Sequence, residues 1–492
     1  GNRANPWEPR FSYARQADYL SGAAMMTTKA IWDQIGGLSD YLEPMYFEDT
    51  DFAFKVRAAG YSTWFVPASI VYHFEGMTSG TDTASGFKRY QEVNRPKFKR
   101  RWARDFARFG TEGQNPDLEK DRGIIGRVLF IDYTTPDEDR DAGAYAARRE
   151  IELVQSLGYK VTFLPQNIAH MGALTEDLQN SGVEVITAPF YLSLAAFLEQ
   201  RAAEFDAFYI TRYYVAQDTV RHIRQHAPKA KILLNNADLH FLRELRAAMS
   251  EDDPSRLAAM QRVRDEELTM MRAADLVLSY NEVEHAVIAS HTDGKVRVMS
   301  CPWVVAIPDH VPPLKGRAGL SFLGSFRHHP NAEGLRWFVA EVMARLTPPA
   351  AHLTIYGSNM GADIKALASD QIDPAGYVED VADAYGRHRV FVAPLLSGAG
   401  IKGKVLGAIA HGIPCVLTPV AAEGIGLRHG HDCLIAETPQ AWAEAITRLM
   451  QDDALWSAMS GAARAYAADR FSFAAGRAKM KAAFEAVDLF GA

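Results

Sequence analysis

Two doubly wound parallel sheets in an α/β protein are what this sequence predicts. Three observations carry that reading: short apolar strands alternating with helical segments, a restart of the alternation after a proline-rich stretch, and a glycine-rich strand-to-helix turn bearing two lysines. The first series opens on the strand Val128-Leu-Phe-Ile131, followed by helical periodicity from Ala144 to Leu157 that stops at Gly158. Strand Val161-Thr-Phe-Leu164, helical Leu174 to Leu178 and strand Val183-Glu-Val-Ile186 come next. Ala207-Phe-Tyr-Ile210, Lys231-Ile-Leu-Leu234 and Leu276-Val-Leu278 extend the series, and Pro302 to Pro313 reads as a hinge. The second series has strands at 320–323, 352–356, 390–393, 415–417 and 433–435, with helices at 332–346 and 442–450. Helices at about 453–468 and 473–489 end the chain.

Composition narrows the class. A chain of 492 residues, 48% hydrophobic and 11% aromatic, has the material for two to four domains with their own cores. A net charge of −7 provides no basic field for nucleic acid. Cys301, Cys415 and Cys433 are widely spaced, forming no metal or redox pair, and read as small buried residues in a reducing cytoplasm. No apolar run approaches the ~20 residues that span a bilayer, and no signal-peptide core is evident. The first residue is Gly1 rather than an initiator Met, which reads as a fragment or a processed chain.

The chemistry concentrates at Pro394-Leu-Leu-Ser-Gly-Ala-Gly-Ile-Lys-Gly-Lys404. This stretch follows the strand 390–393 and enters the helical segment containing Val405, Leu406 and Ile409. Glycines at 398, 400 and 403 expose backbone N–H groups, the helix start adds partial positive charge, and Lys402 and Lys404 add two ammonium groups. Together they form a site for a diphosphate, unless the lysines are merely solvated. On the other side, Asp238 and His240 in Asn235-Asn-Ala-Asp-Leu-His240 follow the strand 231–234. A histidine there suits a hydrogen bond to a sugar or removal of an acceptor proton, since it titrates near neutrality. Asp238 as a helix cap beside a packed histidine is the alternative. Arg212, with Tyr213 and Tyr214, ends another strand and could meet an anionic acceptor.

Residues 125–490 resemble GT-B glycosyltransferases of the family 4 (group 1) type. The resemblance is carried by Phe322-Leu-Gly-Ser-Phe-Arg327, Ile355-Tyr-Gly-Ser358, Gly376-Tyr-Val-Glu-Asp380, the 394–414 segment and Thr418-Pro-Val-Ala-Ala-Glu-Gly424, in the family's order. It implies an acceptor-side Rossmann-like domain at 125–312, a nucleotide-sugar domain at 313–470 and a last helix, 471–492, crossing back to the first. It also implies that Arg327, Lys402, Lys404, Gly400 and Gly403 hold the donor diphosphate. Glu423, Gly143 and Tyr377 would lie near the donor sugar or nucleotide, no metal would be required, and the anomeric configuration would be retained. Arg327 also reads as a surface turn, and Glu423 as a surface or capping carboxylate. Family members commonly carry two glutamates eight positions apart across the lysine loop; Ala399 and Gly407 stand at those places.

Residues 1–108 resemble the carboxyl-terminal part of a family 2, GT-A glycosyltransferase, joined to the rest by a polar linker at 109–124. Tyr19-Leu-Ser-Gly-Ala-Ala-Met-Met26, Met45-Tyr-Phe-Glu-Asp-Thr-Asp51 and Phe65-Val-Pro-Ala-Ser-Ile-Val-Tyr-His73 carry the match. It implies Asp49 as the catalytic base and His73 as a ligand of a divalent Mn or Mg on the donor of an intact module. A capped acidic helix start is the alternative for Asp49. The block lacks the nucleotide-binding half that normally precedes these motifs and is expected to be inactive as it stands. Arg95, Lys97, Lys99, Arg100, Arg101 and Arg104 interleave with Phe98 and Trp102. This stretch suits either peripheral contact with the inner face of an anionic membrane or a solvated helix face that buries its aromatics.

The expectation is therefore a cytoplasmic glycosyltransferase moving a sugar from a nucleotide-diphosphate sugar to a hydroxyl of a glycan or lipid-linked glycan, in bacterial-type surface polysaccharide synthesis. A nucleotide-sugar epimerase of the same architecture, or a non-catalytic glycan-binding or scaffold subunit, are the alternatives.

Overall fold

The computed structural model describes residues 5–72, 86–111, 113–138, 142–251, 254–347, 352–398 and 400–490. The chain separates into two units: 1–129 with 158–205, and 130–157 with 206–492.

In the first unit, strands β1 (Arg15–Gln16) and β2 (Trp64–Phe65) pair antiparallel over two residues. Helix Lys29–Ile35 starts at Thr28, whose hydroxyl accepts from the Ile31 N–H, and stops at Gly36 in the left-handed region (φ 75°). Helices Glu48–Ala58 and Tyr90–Arg101 follow. Their core is small: Leu42, Phe54 and Phe98, ringed by Tyr41, Phe47, Trp102, Phe106 and Phe109. Asp51 is fully buried beside it and accepts hydrogen bonds from Ser39 Oγ (2.7 Å), Tyr41 Oη (2.6 Å) and Trp102 Nε1 (2.7 Å). Phe98 and Trp102 thus turn inward from the basic stretch, each ring 5.3 Å from Phe54. The same unit holds β4 (Lys160–Pro165) and β5 (Glu184–Val185), which pair in parallel. Strand β3 (Arg127–Asp132) straddles the division between the units.

Two parallel sheets build the second unit. The first runs from β3 through β6 (Ala207–Thr211), β7 (Lys231–Asn235) and β8 (Leu276–Ser279) to β9 (Val298–Ser300). In the second, β10 (Leu320–Leu323), β11 (Leu353–Tyr356), β12 (Ile372–Gly376), β13 (Val390–Ala393), β14 (Cys415–Leu417) and β15 (Leu434–Ile435) take the order β12-β11-β10-β13-β14-β15. Every recorded pairing in these sheets is parallel. Strands such as Val390-Phe-Val-Ala393 are buried along their length, which is why they read as unbroken apolar runs instead of alternating ones. The fold is that of the GT-B class, two Rossmann-like sheets, as the sequence predicts.

The helix expected over 332–346 is interrupted. An α-helix runs His329–Trp337, a π-turn Phe338–Val342 and a 3₁₀ turn Met343–Arg345. Phe338 and Val342 are both fully buried, with Phe338 5.4 Å from the buried Trp442 ring. The final helix, Phe473–Glu485, packs on helix Ala142–Ser156. Arg477 donates to the Ser156 carbonyl (3.2 Å), and a Cβ on Gly476 would come within 2.5 Å of Val304, so glycine permits the contact. Among the described residues, no helix is long and apolar enough to cross a membrane.

Candidate active site

Beyond the carboxyl ends of β3, β6, β7, β10 and β13 lies a cavity of about 840 Å³, within the second unit. Ligands of parallel sheets bind at such edges, and the volume is that of a small-molecule site.

One wall is the 394–404 loop. β13 ends at Ala393 and helix Gly403–Ala410 begins ten residues later; the turn between them places Gly398 (φ 121°) and Gly400 (φ 70°) in conformations that favour glycine. Lys402, Gly403, Lys404 and Gly400 all line the cavity. Lys402 is 8% exposed and donates to the Gly400 carbonyl at 2.6 Å. Lys404 hydrogen-bonds Asn331 Oδ1 and lies 4.9 Å above the Phe322 ring. A Cβ on Gly324 would come 2.8 Å from the Lys404 ammonium, so the small residue in Phe322-Leu-Gly-Ser makes room for it. Burial lowers the Lys402 pKa to about 8; burial, then the charge of Lys402, lowers that of Lys404 to about 7. Two ammonium groups at one helix start, each disfavoured by burial and the second by the first, are stabilised by an arriving anion.

The facing wall carries Gly143, Arg212, Asp238 and His240. Arg212 takes φ 77°, an uncommon conformation for a residue with a side chain, and its guanidinium bonds Asp132 over the Tyr133 ring. His240 opens helix His240–Glu251. The buried Glu267 accepts from the backbone N–H groups of His240 (3.0 Å) and Phe241 (2.9 Å), so Glu267 satisfies the helix start while Asp238 pairs with Arg243 at 2.5 Å. The His240 ring is fixed by Nδ1 contacts to the Asp238 carbonyl (3.2 Å) and Glu267 (3.3 Å), and by the edges of Tyr213 and Tyr214.

At the cavity floor is Glu150, 1% exposed. It accepts from Tyr280 Oη, from Asn235 Nδ2 at 3.1 Å to both oxygens, and from Cys301 Sγ at 3.3 Å. Burial raises its pKa to about 7. Glu150, Trp303 and Arg246 were not among the residues singled out from the sequence. A signal for Glu150 was present: a carboxylate on the same helical face as Ala146, Ala147, Leu153 and Val154, all buried. Trp303 and Arg246 carry no such local mark.

Other predicted site residues lie elsewhere. Arg327 and Tyr377 are exposed and do not line the cavity, and His328 and Ser325 occupy that rim instead. Glu423 follows helix Pro419–Ala422 and is paired with Arg246 at 2.7 Å. Gly407, at the position where the family resemblance anticipates a glutamate, faces Tyr385; a Cβ there would lie 2.8 Å from the phenol oxygen. Ala399, the other such position, lies outside the described residues. In the first unit, Asp49 sits in the first turn of helix Glu48–Ala58 and accepts from the Gly22 N–H at 2.8 Å. His73 lies outside the described residues. Among the described residues, no group of three or more His, Cys, Asp or Glu is placed to hold a metal ion.

Residues 317–452 match the family model of glycosyl transferases group 1. That segment contains the second sheet with its lysine loop, so the likeness to group 1 glycosyl transferases falls on the part of the chain that forms this wall of the cavity. Similarity extends to an uncharacterized 44.6 kDa protein in the cps region of Klebsiella pneumoniae, 28% identical over 160 residues (28% of this chain, 41% of the relative). An N-acetylglucosaminyl-diphospho-decaprenol L-rhamnosyltransferase of Mycobacterium tuberculosis is 29% identical over 87 residues (16% of this chain, 28% of the relative). The chain spans less than half the length of the curated relatives it matches. Anabaena Alr3699/HepE, solved in complex with UDP and glucose, superposes with TM-score 0.56 at 14% identity, over 73% of this chain and 99% of that one.

Proposed function

We propose that the chain transfers a glycosyl group from a nucleoside-diphosphate sugar to a hydroxyl of a glycan or lipid-linked glycan during surface-polysaccharide assembly. The observation that carries this reading is the pair of buried, pKa-lowered lysines at the start of helix Gly403–Ala410, inside a cavity at the carboxyl edges of two parallel sheets. The diphosphate rests on the helix start and on Lys402 and Lys404. As the bond from the anomeric carbon to the diphosphate breaks, negative charge grows on the leaving oxygen, and the two ammonium groups stabilise that charge in a partly dry site. The acceptor hydroxyl enters from the wall of Asp238 and His240, where the imidazole is oriented to take its proton. Retention of configuration follows the family resemblance. The bound UDP and glucose of the Anabaena neighbour, the cps-region relative and the lipid-linked substrate in the mycobacterial relative's name support the donor and acceptor classes.

The first block is proposed as the acceptor-side part of a GT-A module, with Asp49 as its base at a helix start and a divalent metal held by His73 in an intact module. Exposed apolar side chains of that block, Trp7, Met26, Ile70, Val71 and Tyr72 among them, favour this reading, since they are suited to cover by further protein.

Calorimetric titration with UDP, GDP and dTDP, alongside a Lys402→Ala/Lys404→Ala double variant, tests the donor site. Binding of one nucleotide that disappears in the variant is the expected result. Equal binding by the variant overturns the assignment, and conversion of a nucleotide sugar without acceptor indicates an epimerase.

A further inference from the structure

We infer that Arg246 is a positioning residue of the donor site, strapping its two loops to the helix that carries His240; this rests on reading the cavity as a nucleotide-sugar site. Arg246 lies three residues beyond Arg243 on helix His240–Glu251, and His240 and Arg243 line the cavity. Its guanidinium makes a two-pronged contact with Glu423, Nη2 to Oε1 at 2.7 Å and Nη1 to Oε2 at 3.2 Å. Nη1 also reaches the carbonyl of Gly398 at 3.5 Å. One side chain from the acceptor wall therefore touches both the 394–404 loop and the segment after helix Pro419–Ala422.

Fork-to-fork geometry of this kind sets direction as well as charge. The strap is anchored firmly, because Glu267 pins the start of its helix through two backbone N–H groups. Its charge is placed for a purpose too. Glu423 and Arg246 both act on Lys402, the carboxylate favouring the ammonium and the guanidinium opposing it. Without Arg246, the Glu423 carboxylate stands uncompensated beside the diphosphate loop, where it competes with the ligand for Lys402 and repels its phosphates. Arg246 thus neutralises Glu423, holds it away from the lysines, and ties donor-loop position to the wall that presents the acceptor.

The test uses the full chain with UDP as probe (or GDP or dTDP, whichever binds wild type) in Arg246→Ala, Arg246→Lys, Glu423→Gln and the Arg246→Ala/Glu423→Gln double variant. Arg246→Ala is expected to weaken nucleotide binding about tenfold and Arg246→Lys less, since lysine keeps the charge without the fork. Glu423→Gln is expected to weaken binding about threefold because the fork is broken, and the double variant to bind about as Glu423→Gln does, since only the unpaired-charge part of the Arg246→Ala loss is relieved. Hydrogen exchange on the unliganded chain supplies a second readout, with faster exchange at 394–398 and 418–426 in Arg246→Ala. Unchanged exchange, or an Arg246→Ala loss that the double variant leaves in full, overturns the strap. Failure of wild type to bind any nucleotide overturns the donor reading instead, and the exchange experiment then decides the strap alone.

Discussion

The block before residue 109 and the two-sheet unit differ in how they bury apolar surface. The second sheet's core joins strands with helices 329–337 and 439–451 through Leu320, Phe322, Ile355, Val392, Trp442 and Ile446, all 0% exposed. The first block has strands of two residues, an apolar cluster built on Leu42, Phe54 and Phe98, and one buried carboxylate, Asp51. Trp7, Met26, Ile70, Val71 and Tyr72 stay more than half exposed there. Parallel sheets close their own cores because helices cover both faces; a two-residue ladder cannot. Chemistry that depends on buried lysines is therefore possible in the second unit. In the first block, Asp51 serves to hold aromatic side chains in place.

The largest expected effect separates the two regions by function. Lys402→Ala/Lys404→Ala is expected to reduce nucleotide affinity at least about 100-fold by calorimetry, since two charge-assisted contacts of roughly 1.5–3 kcal/mol each are lost. The first block's unfolding transition should not move. Asp51→Ala gives the converse result. Three donors lose their acceptor, the first block is destabilised by about 3 kcal/mol, and nucleotide binding in the second unit persists. A single transition in which both properties fall together would mean that the two regions fold as one.

Gly407→Glu, which introduces the glutamate anticipated by the resemblance, is expected to destabilise by about 2 kcal/mol because the new side chain meets Tyr385. Thermal unfolding measures it, and a gain in turnover without loss of stability would contradict the packing argument.

A smaller effect is set by pH. Both lysines lie below the usual lysine value, so the folded chain binds fewer protons than the unfolded one between about pH 7 and 10, and this contribution to stability rises with pH there. Nucleotide binding has the opposite sign. A diphosphate favours the ammonium forms, so binding takes up protons, and affinity falls by up to about tenfold per lysine for each pH unit above the free-state values. Titration at pH 8.5 in buffers of different ionisation enthalpy should show this uptake, and the double lysine variant should not. Glu150→Gln is the mildest change, expected to shift stability by about 1 kcal/mol, because Tyr280 and Cys301 keep an acceptor while Asn235 then faces an amide nitrogen.

Much of this was legible before any coordinates. The predicted strands at 128–131, 161–164, 207–210, 231–234, 276–278, 320–323, 390–393 and 415–417 each overlap an observed strand, as buried parallel strands leave an apolar signature that survives without context. Strands β9 and β12 escaped: Val298–Ser300 is only partly buried, and Ile372–Gly376 contains Pro374 and alternates in burial. In the candidate site, Gly400, Lys402, Gly403 and Lys404 were readable because they are contiguous and bound to one strand-to-helix turn. Asp238 and His240 were readable from their place after β7. Arg327 and Tyr377 were carried by resemblance alone, and exposure at the rim depends on side-chain direction, which neighbouring residues do not specify.

The sequence by itself determined the α/β alternation, the glycine- and lysine-bearing strand-to-helix turn and the polar residues at strand ends, because each depends on residues within a few positions of one another. Only the tertiary structure decided that Glu150 lies beneath the cleft among Tyr280, Asn235 and Cys301, that Arg246 meets Glu423, and that Gly407 is closed by Tyr385. Those contacts join residues between 22 and 177 positions apart, read from Tyr385 to Gly407 and from Arg246 to Glu423. At such separations it is the packing of sheets and helices, not local periodicity, that sets which side chains meet.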